Sequence, residues 1–288
     1  KTTEQTKLAR QCGALKSIET EYHLIQQQDI SFVVRTLSNL ARKEQASKKQ
    51  HQQEHQTGQR IDPFLPYESD LFVGDLSPSH LCLLNKFNVV NNHLLIVTRD
   101  FESQTDLLNL QDFTALWYCL QEIDGLAFFN GGKTAGASQS HKHLQLIPLP
   151  FLPNVMHRPL EEAIANITFK NSLGKLDSFD FCHGVAALNI SNQHSAEVAA
   201  ETMLQRYHAL LDYVGFKIAS QTQKQPGAYN FLATREWMMI VPRSRESFQN
   251  IPINSLGFAG SLFVKDQSSL KLLQQLTPLK LLTKVAFT

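Results

Sequence analysis

Four cysteines in 288 residues, Cys12, Cys82, Cys119 and Cys182, are scattered with no Cys-x-x-Cys pair, which argues against both a disulfide framework and a cysteine zinc module. An excess of charge of either sign is also missing. The 27 Lys and Arg against 26 Asp and Glu leave +1, so no global field draws nucleic acid or an anionic membrane to the chain. No apolar run approaches the roughly 18 residues of a spanning helix, no internal repeat is visible, and the N-terminus lacks a signal-peptide pattern. With unpaired thiols, this points to a cytoplasmic protein. The chain opens on Lys1 rather than Met, from which a few residues are expected to precede it.

The chain is not poor in core-forming residues. Hydrophobic residues make up 42% of it, enough to fill one large domain or two small ones, and we expect one. Apolar positions Leu15, Ile18, Tyr22 and Ile25 suit one face of a helix, followed by a strand near 30–35. Residues 42–60 are rich in Gln and Lys with almost nothing to bury, and they read as a mobile loop. Beyond it, residues 81–88 and 94–98 read as a hairpin turning at Asn91-Asn92, because asparagine tolerates left-handed backbone. Phe113, Leu116, Trp117 and Leu120 mark a helix over 112–123. A strand at 126–129 and a turn at 130–136 lead to the stretch from 141 onward. The second half reads as a strand over 179–188 containing His183, a helix over 195–214 with Val198, Leu204, Tyr207, Leu211 and Val214 on one side, a hairpin of 229–233 with 237–241, and a closing helix over 265–275. Strands joined by short turns favour antiparallel pairing, hence an α+β fold.

The run Gly136-Ala-Ser-Gln-Ser-His141-Lys-His143-Leu-Gln145 is the most informative stretch. Side chains alternate along a strand, so His141, His143 and Gln145 share one face about 6–7 Å apart, while Lys142, Leu144 and Leu146 share the other. An imidazole near neutrality is partly unprotonated and can attack phosphorus. Such covalent catalysis needs an orienting partner and donors around the phosphoryl oxygens. Gly136 lets backbone approach an anion, and Ser138 and Gln139 bring short donors. Taken alone, the motif is also compatible with a metal site or a solvated polar face. Gly131-Gly-Lys-Thr134 is not a P-loop, since the first glycine of that motif would fall at Ala127 and a strand follows where a helix is required.

In these segments the chain resembles the ATP adenylyltransferases, or diadenosine tetraphosphate phosphorylases, of the galactose-1-phosphate-uridylyltransferase branch of the histidine-triad superfamily. The resemblance rests on Asp62-Pro-Phe-Leu-Pro-Tyr67, Leu84-Asn-Lys-Phe-Asn-Val-Val90, His93, Asn130–Gln139, His141-Lys-His-Leu-Gln145, Thr234-Arg-Glu-Trp237, Val241-Pro-Arg-Ser-Arg245 and Asn254-Ser-Leu-Gly-Phe-Ala-Gly260, in the expected order over roughly residues 60–265. It implies a histidine-triad-like open antiparallel sheet flanked by helices, with additional C-terminal strands and helices. The expected layout is one domain over 1–288: N-terminal elements to 60, a catalytic core at 61–150, and a C-terminal part at 151–288 on the same sheet.

It also implies roles. His143 would be the nucleophile that cleaves diadenosine tetraphosphate, expels ATP and holds AMP, which inorganic phosphate then removes as ADP. Gln145, in the place of the third histidine of true triads, would hydrogen-bond a phosphoryl oxygen, and His141 would support backbone or phosphate. Asn85, Lys86, Asn130, Gly136, Ala137, Ser138, Gln139, Asn254, Ser255, Leu256, Gly257 and Lys265 are the expected substrate-binding residues. Lys86 and Lys265 read equally as solvated lysines, Lys43, Lys48 and Lys49 are further candidates for phosphate contact, and His93 is open between loop and site. Arg235, Arg243 and Arg245 are expected to pair with Asp or Glu. The expected partners are small-molecule nucleotides (diadenosine tetraphosphate, ATP, ADP, AMP) and phosphate, with no nucleic acid, no membrane and a monomer or small homo-oligomer. A divalent cation such as Mg²⁺ is expected with the polyphosphate, with no organic cofactor and no protein metal cage. Two other functions stay open: a sugar-1-phosphate uridylyltransferase, which Lys142 disfavours because that group reads His-Pro-His, and a non-catalytic nucleotide sensor, which retention of His143 and Gln145 disfavours.

Overall fold

A computed structural model describes residues 1–37, 62–152, 159–191, 194–218 and 222–288. The segment 42–60, with Lys43, Lys48 and Lys49, lies outside them. In chain order the described elements are α1 (Thr2–Gln11), β1 (Thr20–Gln27), β2 (Ile30–Leu37), β3 (Phe72–Asp75), β4 (His80–Leu84), β5 (Leu94–Thr98), α2 (Leu110–Glu122), β6 (Gly125–Gly131), β7 (His143–Pro148), α3 (Glu161–Ala165), β8 (Leu173–Gly174), β9 (Gly184–Ala187), α4 (Ala196–Tyr213), β10 (Tyr229–Ala233), β11 (Trp237–Pro242), β12 (Ser247–Phe248), β13 (Ile251–Pro252), α5 (Ser255–Phe258), β14 (Ser261–Val264), α6 (Gln267–Leu276) and α7 (Pro278–Thr283).

The main sheet has nine strands in the order β3-β4-β5-β7-β6-β10-β11-β9-β8. Every pairing in it is antiparallel, as the short connections predict. β6 from the first half pairs with β10 from the second, Asn130 opposite Asn230, so strands of both halves share one hydrogen-bonded sheet. A smaller sheet, β1-β2-β14, departs from the expectation because β14 joins β2 in parallel. Its long connection makes that pairing possible, whereas a short turn permits only antiparallel neighbours.

Helices α2 and α4 cover one face of the main sheet, burying Phe113, Leu116, Trp117, Met203 and Tyr207 against Ile96, Leu144, Leu146 and Phe231. The other face is covered in two parts. Toward β6, β10 and β11, Phe128, Leu232 and Met239 lie under β2, α5, α6 and α7 in a second core. Toward β4 and β5, Leu81, Leu83, Leu95 and Val97 pack with Phe64. Between the two parts runs β7, whose His143 pairs with Val97 and whose Gln145 pairs with Leu95 on one side and Phe128 on the other. Leu144 and Leu146 point into the helix-covered core, so the alternation read in the sequence holds over β7 and puts its polar residues at the seam. Among the described residues no helix is long and apolar enough to cross a membrane.

Several expected elements differ. Tyr22 and Ile25 lie in β1, not in a helix: Thr20–Gln27 pairs with Ile30–Leu37 around Gln28 at φ 54°, and that ladder satisfies the backbone of a strand whose outer face is solvated, with Leu24 55% exposed. β4 ends at Leu84, short of residue 88, and β9 begins only at Gly184, leaving His183 ahead of it. Asn130 is strand, not turn. α4 buries Ala199, Ala200, Met203, Tyr207, Leu210 and Leu211 while Val198 is exposed, because its small residues allow close approach to β9 and β11. The helix expected over 265–275 is α6, capped by Asp266, but it does not close the chain, because Pro278 opens a further helix, α7.

Candidate active site

His141 stands just before β7, in an isolated bridge with Ser103. Its Nδ1 lies 2.6 Å from Asp62 Oδ2 and its Nε2 2.9 Å from Thr98 Oγ1. Asp62 is itself fixed, since its other oxygen accepts from the Phe64 amide at 2.9 Å. A carboxylate that can only accept places the His141 proton on Nδ1, leaving Nε2 to accept from the Thr98 hydroxyl.

The same reasoning orients His143. Its Nδ1 lies 2.8 Å from the His141 carbonyl, which can only accept, so Nδ1 carries the proton and Nε2 carries the lone pair. Burial pushes His143 down to about 4 despite that stabilising bond. The ring is therefore a neutral base through the physiological range. Phe64 tilts against it at 4.9 Å between centroids. Gln104, itself buried, accepts from the His143 amide at 2.9 Å and donates to the Asn130 carbonyl at 3.0 Å and the His143 carbonyl at 3.3 Å. It thereby joins the two strands where their ladder stops.

Gln145 is reached from the β4–β5 hairpin. His93 Nε2 lies 3.0 Å from Gln145 Oε1, and His93 Nδ1 lies 3.3 Å from Asn85 Nδ2. The expected site residues Asn85 and Gln145 are thus joined through His93. Lys86, beside Asn85, pairs with Glu68 at 2.5 Å on the partly exposed rim.

A third group unites the two halves of the chain. Asn130 Oδ1 accepts from Asn230 Nδ2 and from the Ser255 amide, each at 2.9 Å. Arg243 donates to Asn230 Oδ1 at 2.6 Å. Gly136, at φ 91°, packs so tightly on the 254 turn that an added Cβ would fall 2.9 Å from Asn254 Cβ. Asn254 caps α5 through a 3.0 Å bond from the Leu256 amide. The expected residues Asn130, Gly136, Asn254 and Ser255 do converge, but Asn130 and Ser255 use their side chains on one another. Leu256 and Gly257 are buried beneath the turn, where an added Cβ at Gly257 would fall 2.9 Å from Ile253 Cγ2. The Gly136 and Ala137 amides, expected at phosphate, donate to the carbonyls of Lys133 and Gly132 within their own loop. Ser138 is exposed and Gln139 half-buried. Lys265 stands exposed after β14, next to the capping Asp266.

Behind β7, Lys142 is 1% exposed. Its ammonium lies 2.7 Å from Asp112 Oδ2 and 2.8 Å from Glu102 Oε2, and Asp112 also bonds His80 at 3.0 Å. Burial alone would lower the lysine, but the charges and hydrogen bonds of Asp112 and Glu102 outweigh it and hold the pKa above its ordinary value. Arg243 and Arg235 are structural as expected, yet their partners are carbonyls rather than carboxylates. Arg243 donates to Val285, Ile253 and Arg245, and Arg235 to Leu120 and Gln121, the carbonyls that the end of α2 leaves without helical partners. Arg245 is exposed.

Sequence reasoning gave no role to Asp62, Thr98, Gln104 or Phe64. Asp62 opens the segment Asp62-Pro-Phe-Leu-Pro-Tyr67 that carries the family resemblance and so has a sequence signal; Gln104, in an irregular loop, has none. Among the described residues no three His, Cys, Asp or Glu side chains converge as a metal site.

Comparison with known proteins places this geometry. Residues 1–166 match a family model described as the Ap4A phosphorylase N-terminal domain, and residues 177–288 one described as the ATP adenylyltransferase C-terminal domain. Diadenosine 5',5'''-P1,P4-tetraphosphate phosphorylase 2 of Saccharomyces cerevisiae is 31% identical over 234 residues, 73% of this chain and 70% of that protein. Protein APA1 of the same yeast is 27% identical over 245 residues, 73% of this chain and 71% of that protein. The crystal structure of yeast Ap4A phosphorylase Apa2 in complex with AMP superposes with a TM-score of 0.77 at 25% identity, covering 99% of this chain and 95% of that one.

Proposed function

Because the chain belongs to the family of Ap4A phosphorylases and ATP adenylyltransferases, which are nucleotidyltransferases, we propose that it cleaves diadenosine tetraphosphate with inorganic phosphate to ATP and ADP. The observation that carries this reading is the 2.8 Å approach of His143 Nδ1 to the His141 carbonyl in a buried seam, which commits the proton to Nδ1 and leaves the lone pair on Nε2.

The lone pair of Nε2 attacks an α-phosphorus, and the N–P bond forms as the bond to the bridging oxygen breaks. ATP leaves with that electron pair as a phosphate anion that needs no proton. Positive charge gathers on the imidazole in the phosphoramidate, and the Nδ1–H bond to the His141 carbonyl strengthens to meet it. His141 is held for this by Asp62 and Thr98. The Gln145 amide donates to a nonbridging oxygen. An oxygen of inorganic phosphate then attacks phosphorus and releases Nε2, giving ADP. The reverse sequence makes the dinucleotide.

The likeness to the yeast phosphorylase and to the Apa2 complex supports nucleotides as the ligands. A divalent cation of the Mg²⁺ type would come with the polyphosphate, whose dense charge needs neutralising, while Asp62, Glu102 and Asp112 are engaged by histidine and lysine. No step is routed through it. Incubation with labelled diadenosine tetraphosphate and phosphate tests the reading. ATP and ADP in equal amounts, with an AMP adduct on His143, are expected; absence of these products, or their undiminished formation by His143→Ala, overturns it.

A further inference from the structure

We propose that His93 is a positioning residue that turns the Gln145 amide so that its NH₂ end, and not its oxygen, meets the phosphoryl group, and that Asn85 fixes His93 for this task. The proposal rests on the reading above for the identity of the phosphoryl ligand. The polarity of the chain of bonds does not.

That polarity starts from a backbone group. The Phe87 amide donates to Asn85 Oδ1 at 3.2 Å, which settles the orientation of the Asn85 side chain: oxygen toward Phe87, NH₂ toward His93. Asn85 and His93 are held as a pair because the Asn85 amide donates to the His93 carbonyl at 2.9 Å, just beyond the last rung of the β4–β5 ladder at Leu84 and Leu94. The Asn85 NH₂ is a donor only, so His93 Nδ1, 3.3 Å away, must accept, and the ring proton sits on Nε2. Nε2–H then donates to Gln145 Oε1 at 3.0 Å. With its oxygen taken, Gln145 has its two N–H donors on the side away from His93. His93 is 8% exposed and its ring lies 5.8 Å from that of Phe128 between centroids, so it has little freedom to abandon this arrangement.

The consequence is chemical. A glutamine without such a partner can rotate its amide by half a turn at small cost, and the flipped form would set an oxygen against a phosphoryl oxygen. Three links, Phe87 to Asn85, Asn85 to His93 and His93 to Gln145, remove that choice before the substrate arrives, which is preorganisation of a donor by a fixed dipole chain. It also accounts for His93 and Asn85 near the site without assigning either a contact with phosphate.

The experiment is a double-mutant cycle on the single-turnover rate of adduct formation at His143 from diadenosine tetraphosphate, with His93→Ala, Gln145→Ala and the double variant, alongside His93→Gln. Loss of one oriented hydrogen bond predicts about a tenfold slower rate for His93→Ala, with KM nearly unchanged. The double variant is expected to be no slower than Gln145→Ala alone. His93→Gln, whose terminal NH₂ reaches the place of the ring Nε2–H, is expected to regain most of the rate. Multiplying losses in the double variant, or a His93→Gln rate as low as that of His93→Ala, would overturn the proposal and leave His93 as hairpin packing. The ¹⁵N chemical shifts of the His93 ring read its tautomer independently of turnover: a proton on Nδ1 overturns the proposal whatever the kinetics. Failure of the wild-type chain to form any adduct overturns the phosphorolysis reading instead.

Discussion

The Nδ1 of His143 lies 2.8 Å from the carbonyl oxygen of His141, while His141 Nδ1 lies 2.6 Å from the Asp62 carboxylate. Two residues apart in sequence, the histidines form a directed relay. The carboxylate orients His141, the His141 carbonyl orients His143, and the lone pair emerges at His143 Nε2. Replacing Asp62 by Asn keeps the size but removes the charge that holds His141. Loss of one charge-assisted bond, worth about 1.5–3 kcal/mol, predicts a fall in kcat of roughly ten- to a hundredfold, with KM little altered. Steady-state kinetics of Asp62→Asn check this.

Acid sensitivity follows from the same buried ring. Burial holds His143 at about 4 against an ordinary 6.5, so the nucleophile stays neutral well below pH 6.5. The acid limb of kcat/KM, which reports the free enzyme, is expected near pH 4. Stability has the opposite cost. The unfolded chain takes up a proton on this histidine below 6.5 and the folded one does not, so the contribution of His143 to stability is intact above 6.5 and is lost as pH falls from 6.5 toward 4. Urea midpoints across that range, compared between wild type and His143→Gln, measure the difference.

Lys142, just ahead of β7, turns away from His143 toward Asp112 and Glu102. Lys142→Met leaves Asp112, completely buried, without its cation and Glu102 without its partner. Removing one member of a buried ion pair costs about 3–5 kcal/mol. Urea denaturation is expected to show a loss of that size, whereas the exposed Lys265→Met is expected to change stability by less than about 0.5 kcal/mol.

Gly136→Ala tests the junction between the 132–136 loop and the 254 turn. At φ 91° alanine is strained, and its Cβ would meet Asn254 Cβ at 2.9 Å and the Ile253 carbonyl at 3.0 Å. Backbone strain of this kind costs about 1–3 kcal/mol. A lowered Tm is expected together with weaker nucleotide affinity, read by thermal melting and calorimetry with AMP.

Local signals carried much of the fold into the sequence. Periodicity located α2, and Asn109 and Asp112, each bonding the other's backbone, complete its cap. The hairpins β4–β5 and β10–β11 were legible because their pairing partners lie within a few residues. Leu15, Ile18, Tyr22 and Ile25 fit a helical stripe, and only the ladder with β2, itself paired to the distant β14, makes β1 a strand. The start of β9 beyond His183 and the presence of α7 after α6 are not legible for similar reasons: the deciding contacts are remote, or the signal is a single proline.

The sequence by itself determined that His141, His143 and Gln145 could share a face and that their neighbours resembled a known family. It could not say which nitrogen of His143 would hold the lone pair. That follows from the bond of Nδ1 to the His141 carbonyl, while the groups that hold the surrounding strand come from afar: Asp62, 79 residues away from His141, Gln104 in a loop without pattern, and His93, which holds Gln145 from across the hairpin. Nor could it tell that Asn130 and Ser255, 125 residues apart, would satisfy each other. Alternation is a property of one strand and survives in any sheet. Protonation, burial and the direction of hydrogen bonds belong to groups that only the folded chain brings within 3 Å of one another.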